Sequence, residues 1–98
     1  MRYTIHVRAD AEIDIEETVG WYELQCNGLG SKFLDEVQRT FNEIAENPYM
    51  YGVVHRFTRR ALMYRFPFGI FYRAEEKSVV VIAVMHGSRH PKKWRSRL

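Results

Sequence analysis

Residues 69–85, GIFYRAEEKSVVVIAVM, decide how this chain folds. Two runs rich in β-branched and aromatic residues, Gly69 to Ala74 and Val79 to Met85, flank the polar stretch Glu75, Glu76, Lys77 and Ser78. That pattern reads as a β-hairpin with a charged turn. Folding it about Glu76-Lys77 sets Arg73 opposite Val80 and Gly69 opposite Val84. The second run, together with Ile70, Phe71 and Tyr72 opposite it, is apolar on both faces, as strands covered on two sides are.

Two more strands are expected just upstream, Val53 to Phe57 and Ala61 to Phe66, with Pro67 at a strand end because it has no donor for a ladder. Before Pro48 the period changes. Ile15, Val19, Tyr22 and Cys26 fall at i, i+4, i+7 and i+11, so a helix is predicted from about Asp10, its N-cap, to Cys26. Asn27-Gly28 stops it. Phe33, Val37, Phe41 and Ile44, joined by Leu34 and Ala45, predict a second helix over Leu29 to Glu46, ended by Asn47-Pro48. At the N-terminus, Arg2 to Arg8 alternates strictly, with Tyr3, Ile5 and Val7 on one face of a half-buried strand. The expected fold is therefore α+β: an N-terminal strand, an antiparallel helical hairpin, then a three- to four-stranded antiparallel sheet. Two helices cover one side of such a sheet. Its second apolar face either curls closed or meets a partner, and arginines around it favour the partner.

Ninety-eight residues are the length of one domain, here 1–98 with a basic tail at 91–98. With 46% hydrophobic and 28% charged residues, the chain can bury roughly 65% of its unfolded surface. Disordered and collagen-like classes are thereby excluded. Cys26 stands alone, so no internal disulfide is available. The longest apolar run is far short of the roughly 20 residues that span a bilayer, and no secretory segment is recognisable, so a cytoplasmic location is expected.

The net charge of +3 hides an asymmetry. Residues 1–50 hold 4 basic and 10 acidic side chains, whereas residues 51–98 hold 11 basic, 8 of them arginine, and 2 acidic. Arginine's planar fork suits phosphates and carboxylates, so an anionic partner is expected. His86 and His90 follow a strand and would not share a helix face, so no metal is expected. Cys26 at a helix end reads as a packing residue rather than a nucleophile. Neither a GxGxxG nor a Walker sequence occurs, and no cofactor is expected. What remains is a diffuse cluster of Arg60, Arg65, Tyr72, Arg73, His86, Arg89, His90 and Trp94, expected to gather cations and an imidazole at one end of the sheet. It could stabilise a phosphate during cleavage or dock an acidic surface.

The order β-α-α-β-β-β, with AEIDIEETVGWY at 11–22 and RRALMYRFPFGIFYRAEEKSVVVIAVMHGSRHPKKW at 59–94, resembles the RelE/ParE superfamily of toxins from bacterial toxin–antitoxin pairs. It is most similar to the ParE-like branch. The resemblance implies a small toxin neutralised by a cognate antitoxin, whose C-terminal segment wraps across the helices and sheet. Val19, Tyr22, Phe33, Val37, Phe71 and Ile82 are the antitoxin contacts expected on this basis. ParE-like members poison DNA gyrase, and the target-binding residues expected here are Arg60, Arg65, Arg73, Arg89 and Trp94. RelE-like members instead cut messenger RNA on the ribosome with arginines, lysines and a C-terminal tyrosine. Aligned on the hairpin turn, one arginine of that site falls on Gly69 and is absent, while another falls on Arg89. Trp94 and Arg95 stand near where the tyrosine would be. Losing a cation that faces a developing phosphate charge costs several kcal/mol of transition-state stabilisation, which favours gyrase. The alternative is a ribosome-dependent endonuclease with Arg89 on the phosphate and His86 as acid or base. A third reading is an inert member that only binds its antitoxin.

Overall fold

A computed structural model describes residues 2–88 and 91–98. The elements are β1 (Thr4–Val7), α1 (Ala9–Gln25), α2 (Leu29–Glu46), β2 (Val53–His55), β3 (Thr58–Leu62), β4 (Phe68–Ala74), β5 (Ser78–His86) and α3 (Lys92–Arg95). The α+β class and the element order agree with the sequence pattern. The sheet differs from expectation: it has five strands in the order β1-β5-β4-β3-β2 and is mixed, because β1 runs parallel to β5. A parallel pair needs a long crossover, which the helical hairpin supplies. Pairing sets Ile5 beside Val79 and Val7 beside Val81, so the alternating face of β1 joins the core.

Phe33, Val37, Phe41 and Ile44 project from α2 onto Ile70, Tyr72, Val79, Val81 and Val84 of the sheet. Tyr22 of α1 closes the core in an aromatic cluster, its ring 5.4 Å from that of Phe33 and 5.0 Å from that of Phe66. The helix boundaries fall close to their expected positions, but Asp10 is not the N-cap of α1. That position is Arg8, which makes no capping bond through its side chain; the chain passes straight from β1 into the helix, leaving Asp10 inside the first turn. At the other end of the hairpin, Gly28 takes the left-handed conformation (φ 87°). Glu23, whose spacing suggests a solvated face, accepts hydrogen bonds from the Gly28 and Gly30 amides at 2.9 and 3.0 Å. A carboxylate there satisfies two orphan donors of α2.

The strands upstream of the final hairpin are shifted from the expected ranges. His55 pairs with Thr58, so Arg56 (φ 51°) and Phe57 form a tight turn instead of ending a strand. Residues 64–67 likewise form the turn between β3 and β4, with Arg65 at φ 65°. In the final hairpin Arg73 does face Val80, but Gly69 faces Met85 rather than Val84. A bulge opposite Phe71 and Tyr72 leaves Ile82 as an extra residue and slips the register by one. The second apolar face is largely covered by the chain itself: Trp94 of α3 is 5% exposed and packs with Phe71, Ile82, Ala83 and Met85.

Candidate functional site

Side chains alternate across a sheet, so the register divides the candidate residues between two faces. Arg60 pairs with Phe71, and Phe71 and Arg73 are two apart on β4. Both arginines thus share the outer face with Trp94, whose indole stacks on Phe71 at 4.7 Å and 22°. His55 approaches the Trp94 ring at 6.1 Å. Burial, and then the charges of Arg95 and Arg56, hold the His55 imidazole below its ordinary pKa. Gly69 leaves this face open enough for Arg60 to lie across it: a Cβ at residue 69 would stand 3.1 Å from the Arg60 stem. No side-chain hydrogen bond or ion pair holds Arg60 or Arg56 among the described residues, whereas the Arg73 side chain is paired with Glu75 at 2.9 Å.

The expected cluster therefore does not form as one group. His86 pairs with Phe68 and lies on the helix side, its ring 5.3 Å from that of Phe68, with the sheet between it and Arg60. Tyr72 also faces the helices. It is fully buried and donates to the Pro48 carbonyl, and burial pushes its phenol up to about 12. Arg65 leaves the β3–β4 turn towards α2, beside Lys32, Asp35 and Glu36, and is separate from the outer-face arginines. Arg89 and His90 lie outside the described residues. Trp94 is 5% exposed, its ring stacked on Phe71.

The residues expected to meet an antitoxin are also divided by the fold. Phe33 and Val37 are core residues, and Phe71 and Ile82 lie beneath Trp94 at 2% and 1% exposure. An apolar stripe at helical spacing gives no sign of whether the protein's own sheet or a partner will cover it. Val19 and Tyr22 remain half-buried, and Tyr22 lines a groove of about 660 Å³ on the helix side. Trp21, Phe68, Val84, His86, Glu17, Asp14 and Arg97 line it too.

Three of these residues had no role in the sequence pattern. Trp21 is 58% exposed, and with Ile13 and Leu24 it makes α1 apolar away from the core as well as towards it. That second stripe is legible in the sequence. Asp14 and Arg97 are not: 83 residues apart, they meet in a bidentate pair at 2.6 and 3.0 Å. The hydrogen bond to Asp14 is the main cause that raises the Arg97 pKa. Just beyond β5, Ser88 Oγ lies 2.7 Å from His86 Nδ1. Among the described residues, no three His, Cys, Asp or Glu side chains converge as a metal site would require, and no helix is long and apolar enough to cross a membrane.

Residues 5–91 match the family model described as the ParE toxin of the type II toxin–antitoxin system parDE. Among solved structures, the chain is similar to one described as the chromosomal ParDE TA system from P. aeruginosa. The TM-score is 0.65 at 14% identity, over 87% of this chain and 96% of that one. No curated protein matches the chain.

Proposed function

Because this chain belongs to the ParE toxin family of type II toxin–antitoxin systems, and is thus a toxin with an antitoxin for a partner, we propose that it acts by binding and poisoning DNA gyrase. The observation that carries this reading is the separation of His86 from Arg60 and Arg73 by the thickness of the sheet. Phosphodiester cleavage needs a proton-transferring group and cations on the same phosphate, within hydrogen-bond reach of each other's substrate atoms. Arginines gathered on one face, with His86 on the other, are suited to holding an acidic or nucleic-acid-bearing surface instead. Arg60, Arg73 and Arg95 form the contact surface in this reading, and Trp94 serves it by seating α3.

The test is a supercoiling assay with purified gyrase, plasmid and ATP, with this protein alone and then with its antitoxin. Linear, protein-linked DNA should accumulate, and the antitoxin should abolish it. Supercoiling untouched at high toxin concentration would overturn the reading. A second reading has one observation in its favour: the stem of Arg60 lies over Gly69, the residue that stands where the ribonuclease branch carries an arginine. Cleavage of messenger RNA on translating ribosomes, lost in Arg60→Ala, would establish it.

A further inference from the structure

Of the chain's 12 carboxylates, 6 lie in α1 and 4 in α2. The other two, Glu75 and Glu76, belong to the turn of the last hairpin, where Glu75 is taken by Arg73. Because both helices cover one side of the sheet, their charge stands about one layer behind the outer face. That is about 10 Å, close to the Debye length at about 0.1 M salt. The outer face itself carries cations with no carboxylate to answer them. Among the described residues no ion pair engages Arg56, Arg60 or Arg95.

These three arginines surround one seat. Phe71, which faces Arg60 across the ladder, carries the Trp94 indole. The Arg95 guanidinium lies over the same indole, 5.3 Å from the ring centroid. His55 approaches that ring from the edge, and after burial it is the charges of Arg95 and Arg56 that lower its imidazole. Like charges gathered in this way repel one another until an anion shares them, and a guanidinium fork matches the oxygens of a phosphate. A duplex presents one negative charge per about 1.7 Å, and a molecule with its carboxylates on the far side is steered onto such a surface by its own asymmetry. The aromatic rings of the seat are closed, Phe71 and Trp94 being buried against each other. Single strands are held by stacking bases on open rings, whereas a duplex keeps its bases stacked and is held chiefly by its phosphates. Unpaired arginines around a closed aromatic seat fit the duplex.

We propose that the outer face holds the phosphate backbone of double-stranded DNA directly, through Arg56, Arg60 and Arg95 and without sequence preference. This rests on the gyrase reading and deepens it: the arginines meet the duplex that the enzyme holds, and other parts of the chain meet the enzyme. Three phosphate contacts give a slope of about −2.7 in log K against log salt, a loss of about 40-fold in affinity between about 50 and 200 mM.

The test is fluorescence anisotropy of a labelled duplex of arbitrary sequence, titrated with the full-length chain across that range of salt. Arg60→Ala and Arg95→Ala should each flatten the slope by about 1 and raise Kd about fivefold. Arg60→Lys, which keeps the charge, should retain most of the binding, and DNA-free gyrase should bind Arg60→Ala as it binds the wild type. Arg39→Ala removes the same charge from α2, where the guanidinium lies by Glu36 and Glu43, and should change Kd less than about twofold. No duplex binding by the wild type at low salt, or equal losses in Arg39→Ala and Arg60→Ala, overturns the proposal. Linear, protein-linked DNA in the supercoiling assay would then still uphold the gyrase reading. Binding of DNA-free gyrase that is lost in Arg60→Ala overturns the proposal in favour of an acidic protein surface. Phe57 is 80% exposed beside Arg56, so tighter binding of single-stranded DNA that Phe57→Ala abolishes overturns the choice of duplex. Self-association at low salt that competes with DNA overturns the occupant in favour of the acidic helices of a second copy.

Discussion

Replacing Trp94 by alanine tests whether the chain closes its own outer face. An aromatic side chain of this size removes about 150–250 Å² from water, which at about 25 cal/mol/Å² is about 4–6 kcal/mol of transfer free energy. Measured Trp→Ala truncations cost about 3–5 kcal/mol. The indole is 5% exposed and stacked on Phe71, which argues for the full amount. Against this, α3 is a helix of 4 residues and can lift locally rather than leave a cavity, so about 3 kcal/mol is expected. At about 4–8 °C per kcal/mol for a domain of this size, Tm falls by about 12–24 °C. Urea unfolding followed by circular dichroism measures the loss, with Trp21→Ala as the exposed control expected within about 0.5 kcal/mol. A loss below about 1 kcal/mol for Trp94→Ala would mean that the indole is not seated on Phe71 and that the outer face stands open.

Two glycines on the helical hairpin should respond in opposite directions. A Cβ at Gly30 would lie 2.7 Å from the Val19 carbonyl oxygen, so Gly30→Ala should cost about 1–3 kcal/mol. Gly20 faces open space, and Gly20→Ala should stabilise by about 0.5–1 kcal/mol in the same unfolding assay. Asp14→Ala should cost about 1.5–3 kcal/mol by stranding Arg97 and the Val84 amide together. Arg97→Ala should cost less because Asp14 keeps the amide, and a double-mutant cycle should show that the two losses do not add. Tyr72 and Tyr51 are both pushed up to about 12, by burial and, for Tyr51, by its bond to Glu43 as well. The unfolded chain releases these protons first, so stability should hold below about pH 10 and fall as pH rises from there towards 12. Absorbance titration at 295 nm and unfolding across that window check both the values and the sign.

Much of the architecture was legible from local pattern. Both helices, the charged turn of the last hairpin and the Arg73–Val80 pairing follow from period and turn chemistry, because those signals act over a few residues. The second apolar stripe of α1, Ile13, Trp21 and Leu24, was equally present in the sequence. It competed with the core stripe of the same helix, and spacing alone does not rank them.

The placement of chemistry on the faces of the sheet was decided elsewhere. A strand's period is two, so the single extra residue at Ile82 exchanges the faces of everything beyond it. That slip separates His86 from the arginines with which the sequence pattern grouped it. The parallel seating of β1, the meeting of Asp14 with Arg97 and the closing of Trp94 over Phe71 each join distant parts of the chain. By itself the sequence determined which segments are helix, strand or turn, since each depends on neighbours along the backbone. Tertiary structure alone decided which side chains are left for a partner, because that depends on what the whole chain has already buried.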